Sequence, residues 1–277
     1  MSLTSDTLHV MEQNTTHNTG PDVTRRTALK GAGLAFGVTA LGVSSAPAAA
    51  ARNKRHMLRG DVAEAANAVA TRAERNTAGG SWMVDGTQGS KFLLYLPPEE
   101  LPFKEFGTLR LKDLTDISFY TKTGDEITGS TPLNFYLTLY TKSDGVDDDA
   151  WYGRRLTGEP YFSPSLDAPA DQWNKWSLDA GPNQLVFHDS NRPGVGDGFY
   201  GAPTFEELMS TDEFDWNEYR SSAAPTSINY ADEELRFISF QTGSGWYEDF
   251  AGYIDTIEIG IDTDGYKAQT LRIDLEV

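Results

Sequence analysis

Cysteine is absent from the 277-residue sequence, so disulfide staples, zinc–thiolate sites, iron–sulfur clusters and cysteine nucleophiles are all excluded. The fold holds by packing alone. Histidine is scarce: of the four present, only His188 lies beyond residue 78, which leaves histidine-dependent triads and multi-histidine metal sites resting on one side chain. Basic residues are few. Lys+Arg number 23 against 41 Asp+Glu, a net charge of −18, and a surface this negative repels phosphate backbones. With no basic stripe interleaved with aromatics, nucleic acid is not an expected partner. Long apolar runs are missing as well, since the one near the N-terminus, Gly31 to Val43, falls short of the ~20 residues that span a bilayer. No transmembrane segment is expected in the mature chain.

The surroundings of that short apolar run are specific. Thr24-Arg25-Arg26-Thr27-Ala28-Leu29-Lys30 precedes it, and Ser44-Ser45-Ala46-Pro47-Ala48-Ala49-Ala50-Ala51 follows it. Paired arginines, a Gly/Ala-rich apolar stretch and small residues of the A-x-A type resemble a twin-arginine export signal. The resemblance implies a signal peptide over residues 1–51, folding before export, and a mature protein that works outside the cell or at its surface. Setting 1–51 aside removes Arg25, Arg26 and Lys30 together with Asp6, Glu12 and Asp22, so the mature part keeps the whole −18. Lysine is rarer than arginine, nine against fourteen, and the acids are spread along the chain. An evenly acidic skin of this kind is of halophile type, because molar salt screens repulsion within a few ångströms.

Residues 52–78 read as a basic and Ala-rich linker or helix. Arg52, Lys54, Arg55, His56 and Arg59 open it, and Val62, Ala65, Ala66, Val69 and Ala73 fall on one side of a helix predicted over 60–76. From Gly79 to Val277 the pattern changes to period two, with aromatic and β-branched runs separated by Gly/Pro/Asp/Asn clusters. Strands are predicted at 91–96, 108–111, 116–122, 133–142, 151–156, 173–178, 184–188, 235–242, 252–261 and 270–277. Phe135, Leu137 and Leu139 alternate with Tyr136, Thr138 and Tyr140, and Phe237, Ser239 and Gln241 alternate with Arg236, Ile238 and Phe240. One short helix interrupts the strands at 203–209, where Thr204 as N-cap and Glu207 three residues on form a capping box. The expectation is an all-β domain, a two-sheet antiparallel β-sandwich of the jelly-roll kind, with an N-terminal signal and helical arm.

The segment Gly243-Ser244-Gly245-Trp246-Tyr247-Glu248-Asp249-Phe250-Ala251-Gly252-Tyr253-Ile254-Asp255-Thr256-Ile257 resembles the closing strands of extracellular carbohydrate-binding and concanavalin A-like lectin modules, where a Gly-rich turn precedes an F-x-G-Y-I/V-D-x-I strand. Leu114-Thr115-Asp116-Ile117-Ser118-Phe119 is similar to their opening strand, and Leu133 to Lys142 followed by Asp144-Gly145 to their next strand and loop. The resemblance implies a secreted jelly roll that binds an extracellular polysaccharide or glycan. Asp255 is expected to bond a neighbouring turn.

A glycan site needs flat rings for the C–H faces of sugars and forked polar groups for their hydroxyls. Trp151-Tyr152 with Arg154 and Arg155, and Trp246-Tyr247 with Glu248 and Asp249, meet that description. Trp173 and Trp176 lie three apart, so a strand there exposes one at most. Two acidic loops have the oxygen ligands that calcium takes: Asp144, Asp147 and Asp149, which are the better set, and Asp262 with Asp264. A structural calcium is therefore the one cofactor expected. Nothing identifies a reaction. The E-x-D-x-E strand of concanavalin-like glucanases is missing at Asp255-Thr256-Ile257-Glu258, and Gly194 to Gly201 lacks the Lys-Ser/Thr of a phosphate loop. Three readings follow: a non-catalytic binder of glycan or cell-surface polymer; a polysaccharide lyase or glycoside hydrolase using Arg154, Arg155, His188 or a carboxylate pair; and a cell-surface or filament subunit.

Overall fold

The computed structural model describes residues 52–77, 79–103, 106–125, 133–143, 151–189, 202–210, 213–216, 227–243 and 249–277. In chain order the elements are β1 (Arg52–Leu58), α1 (Gly60–Ala65), β2 (Val69–Thr71), β3 (Ser81–Val84), β4 (Leu93–Leu96), β5 (Leu114–Thr123), β6 (Tyr136–Lys142), β7 (Arg154–Gly158), β8 (Asn174–Ser177), β9 (Phe187–Asp189), α2 (Phe205–Met209), β10 (Phe214–Asp215), β11 (Ser227–Ile228), β12 (Glu234–Gln241), β13 (Gly252–Ile261) and β14 (Gln269–Leu275). They build an all-β sandwich of two sheets, with β10 and β11 as a small extra pair. No helix among the described residues is long and apolar enough to cross a membrane.

One sheet runs β4-β12-β6-β7-β9, antiparallel throughout. Its register sorts side chains into rows. On the inner face Leu94, Phe240, Leu137, Gly158 and Phe187 stand side by side, and next to them Leu96, Ile238, Leu139, Leu156 and Asp189. The period-two alternation read from β6 and β12 is thus the alternation of core and outer face.

The other sheet is organised around β13, which carries β5 along one edge; β8 continues the sheet beyond β5. On its opposite edge β13 pairs first with β3, over 252–254, and then with β14, over 257–261. The changeover falls at Asp255 and Thr256. Thr256 adopts φ +43°, and the pairing with β5 skips from Asp255 to Glu258. Asp255 accepts hydrogen bonds from the backbone N–H groups of Asn76 (3.0 Å), Thr77 (3.2 Å) and Thr256 (2.6 Å), so it does hold a neighbouring turn. Burial raises its pKa.

The two inner faces meet ring to ring: Phe119 lies 5.1 Å from Phe240, and Phe135 lies 5.3 Å from Phe92 and 5.1 Å from Phe250, all edge to face. Trp82, Trp176 and Trp216 are buried, and Trp176 donates to Thr121 at 2.7 Å. Trp173 is half-buried. Helix α2 carries the capping box read from the sequence, with Glu207 N–H donating to Thr204 and the Glu207 carboxylate accepting from Thr204 N–H at 2.7 Å.

The segment 52–78 departs from the expected linker or helix. Its first residues form β1, paired parallel with β14, so the sandwich is not wholly antiparallel. An N-terminal strand is not tied to its neighbour by a hairpin and is free to pair in parallel. Polar contacts stand in for apolar alternation here: Arg55 pairs with Asp274 and lies 3.7 Å from Glu276, and Lys54 donates to Pro102 O at 2.7 Å. Helix α1 ends at Ala65 because Asn67 turns the chain at φ +58°, and β2 follows where the sequence predicts further helix.

Candidate functional site

The outer face of the five-stranded sheet carries polar and aromatic side chains. Across all five strands runs the row Tyr95, Ser239, Thr138, Thr157 and His188; beside it on one side are Phe237, Tyr140 and Arg155, and on the other Gln241 and Tyr136. Ser239 and Thr138 are small residues between larger ones and are fully buried, forming a floor. Gln241 donates to Thr138 at 2.7 Å and accepts from Lys91 at 3.3 Å.

Five rings form one cluster over this face. Trp151 lies 4.2 Å from Tyr152, 5.0 Å from Tyr140, 5.1 Å from Phe237 and 6.3 Å from Tyr95. Tyr95 also contacts Tyr140 and Phe237, at 5.8 and 5.7 Å. Tyr140 is buried, yet Trp151 is 46% exposed and Tyr95 39% exposed. Burial, followed by the hydrogen bond to Tyr140, pushes the Tyr95 hydroxyl up to about 12. Burial likewise pushes Tyr136 up to about 12. Beside the cluster opens a cleft of about 520 Å³ whose walls include Trp151, Phe237, Glu99, Glu234 and Arg236. Glu234 and Arg236 are paired at 2.7 Å and present a carboxylate and a guanidinium together.

Of the residues singled out in the sequence, Trp151, Tyr152 and Arg155 come together on this face, but Arg154 does not. Consecutive strand residues point to opposite sides. Arg154 turns to the core side, pairs with Glu233, approaches Asp189 to 3.9 Å and lies 5.9 Å over the Tyr230 ring. Glu233 also accepts from Thr141 and, at 3.1 Å, from Ser143. Tyr230 donates to Asp189 at 2.9 Å and accepts from the Trp216 ring N–H at 2.8 Å. Trp246 and Tyr247, and Asp144, Asp147 and Asp149, lie outside the described residues, as does the 194–201 loop. Asp262 and Asp264 are exposed on the turn between β13 and β14, and among the described residues no acidic or histidine cluster gathers with metal-binding geometry.

The sequence alone does not mark Tyr95, Tyr140, Phe237 and Lys91 as site residues. The signal available was their position on the non-core phase of each strand. The chain matches no family model, no curated protein and no solved structure closely enough to assign a relationship.

Proposed function

We propose that this is an exported, non-catalytic glycan-binding module whose platform is the aromatic cluster on the outer face of the five-stranded sheet. The observation that carries the reading is the half-exposed pair Trp151 and Tyr95 within a five-ring cluster, next to a cleft that presents Glu99, Glu234 and Arg236. Large rings left half in water on a sheet face favour a ligand with its own apolar faces. Sugar rings stack on them while carboxylate and guanidinium groups fork onto hydroxyls. The resemblance to carbohydrate-binding and lectin modules, the twin-arginine motif and the acidic skin agree with an extracellular role in brine.

The enzymatic alternative draws on the convergence of Glu233 and Asp189 on Arg154. Each of these carboxylates is almost wholly buried and already taken up by donors, an arrangement better suited to cross-linking the sheet than to meeting substrate. In the assembly alternative, β14 is already paired on both edges, by β13 and β1, so among the described residues it is the outer edge of β1, and not β14, that a neighbouring chain would extend.

The test is a polysaccharide panel in molar salt, scored for binding and for degradation. W151A is expected to weaken binding at least about tenfold, while Y266A, which removes an exposed ring elsewhere, leaves it unchanged. Equal binding by both variants, or release of cleaved product, would overturn the proposal.

A further inference from the structure

Six cations among the described residues have a carboxylate beside them. Arg55, Lys112, Lys122, Arg154, Arg236 and Arg272 each have one within 4 Å. Lys91 and Arg155 are half-buried without one, whereas Arg59, Arg72, Arg75, Lys175 and Lys267, which also have none among the described residues, are exposed. Lys91, just ahead of β4, reaches the neutral Gln241 Oε1 at 3.3 Å. Arg155 stands opposite Tyr140 on the outer face, half-buried, and its Nε is buried with no hydrogen-bond partner. Neither forms an ion pair among the described residues. The two feel each other: burial, then the charge of Arg155, pulls the Lys91 pKa down. Glu159, whose charge is felt at the adjacent Tyr136, forms no ion pair with either of them. Ser239 Oγ, in the floor of the same face, is also buried without a partner.

Half-desolvated cations left unpaired are costly, and an anion placed between them recovers the cost. With 41 carboxylates to 23 cations in the chain, a shortage of partners does not explain the exception. We infer that the outer face of the five-stranded sheet takes an acidic saccharide, its anionic group held by Lys91 and Arg155 and its ring set against Tyr95 and Trp151. Arg155 supplies a planar fork that matches a carboxylate or sulfate, and Lys91 a point charge. The inference deepens the glycan-binding reading and rests on it.

The experiment compares the full chain's affinity for two matched pairs, polygalacturonate against its methyl ester and dextran sulfate against dextran. At about 0.5 M NaCl the Debye length is under about 5 Å, so only close contacts discriminate. The acidic member of one pair is expected to bind about tenfold or more tightly, as charge-assisted hydrogen bonds predict. The pair that discriminates tells carboxylate from sulfate. In K91M and R155M the acid-to-neutral ratio falls to within about twofold of one, and R155K keeps part of it. K267M, which removes an exposed cation from the turn before β14, keeps the full ratio, and thermal unfolding confirms that each variant folds. A ratio near one in the unaltered chain, or one unchanged in K91M and R155M while neutral polymers still bind, overturns the inference and leaves glycan binding standing. No binding to any of the four polymers removes both.

Discussion

Glu233 and Glu234 are adjacent in the chain and meet opposite fates. Glu233 is 2% exposed and held by Arg154, Thr141 and Ser143, whereas Glu234 faces solvent beside Arg236. A carboxylate that deep persists because its charge is matched and its lone pairs are filled. In E233Q the guanidinium of Arg154 keeps only one carboxylate, Asp189, at 3.9 Å, so denaturant unfolding is expected to report a loss of about 3 kcal/mol. Tyr230 ties the same network to Trp216: its hydroxyl accepts from the indole and donates to Asp189. Y230F removes one hydrogen bond from a buried indole N–H and one from a buried carboxylate, which costs about 1–3 kcal/mol. A shift in Trp216 fluorescence accompanying the lower midpoint would tie the loss to this network, while an unchanged midpoint would exclude it.

At the scale of elements, the five-stranded sheet depends on close approach between β7 and β9. A Cβ built on Gly158 would sit 3.0 and 3.1 Å from the Phe187 ring atoms Cε1 and Cζ, in the inner-face row where Leu137 and Phe240 are also fully buried. G158A is therefore expected to destabilise the domain by about 1–3 kcal/mol, read from the midpoint of urea unfolding; a neutral effect would mean that Phe187 can swing away. The same sheet marks what could be read beforehand. β6, β12 and β13 were legible because apolar side chains fill one phase of each strand, and α2 because its cap is local chemistry. β1, with the sequence RNKRHML, carries no such alternation; ion pairs to residues more than 200 positions away hold it. The candidate site was half legible for the same reason. Trp151, Tyr152 and Arg155 are neighbours in sequence, but Lys91, Tyr95 and Phe237 join them only through the register of β4, β12 and β6, which no local pattern encodes. The placement of Arg154 against Arg155 needed only the strand phase, yet that phase was known only once Leu156 could be put in the core.

The whole molecule carries an excess of 18 negative charges, and among the described residues Glu159, Asp116 and Asp255 are already drawn toward the neutral form. Burial raises Glu159 from 4.5 to about 7, and burial followed by the charge of Asp179 raises Asp116 from 3.8 to about 6. Below pH 4.5 Glu159 holds its proton both folded and unfolded. Between 4.5 and about 7 the unfolded chain gives up that proton first, so stability falls through this window and stays low above it. The loss from Glu159 is on the order of 3 kcal/mol, and Asp116 adds in the same direction, discounted by its partial exposure to water. Repulsion among the remaining carboxylates also grows as they ionise, and salt screens it. The unfolding temperature at fixed molar NaCl should therefore be higher at pH 5.5 than at pH 8, and E159Q should flatten that slope. Lowering the salt from about 2 M to 0.1 M, where the screening length grows from a few ångströms to about 10 Å, should depress the unfolding temperature at pH 8 more than at pH 5.5, because fewer charges remain to repel at the lower pH. An unfolding temperature indifferent to salt at pH 8 would mean that self-repulsion is not what limits this fold, and that its acidity is not an adaptation to brine.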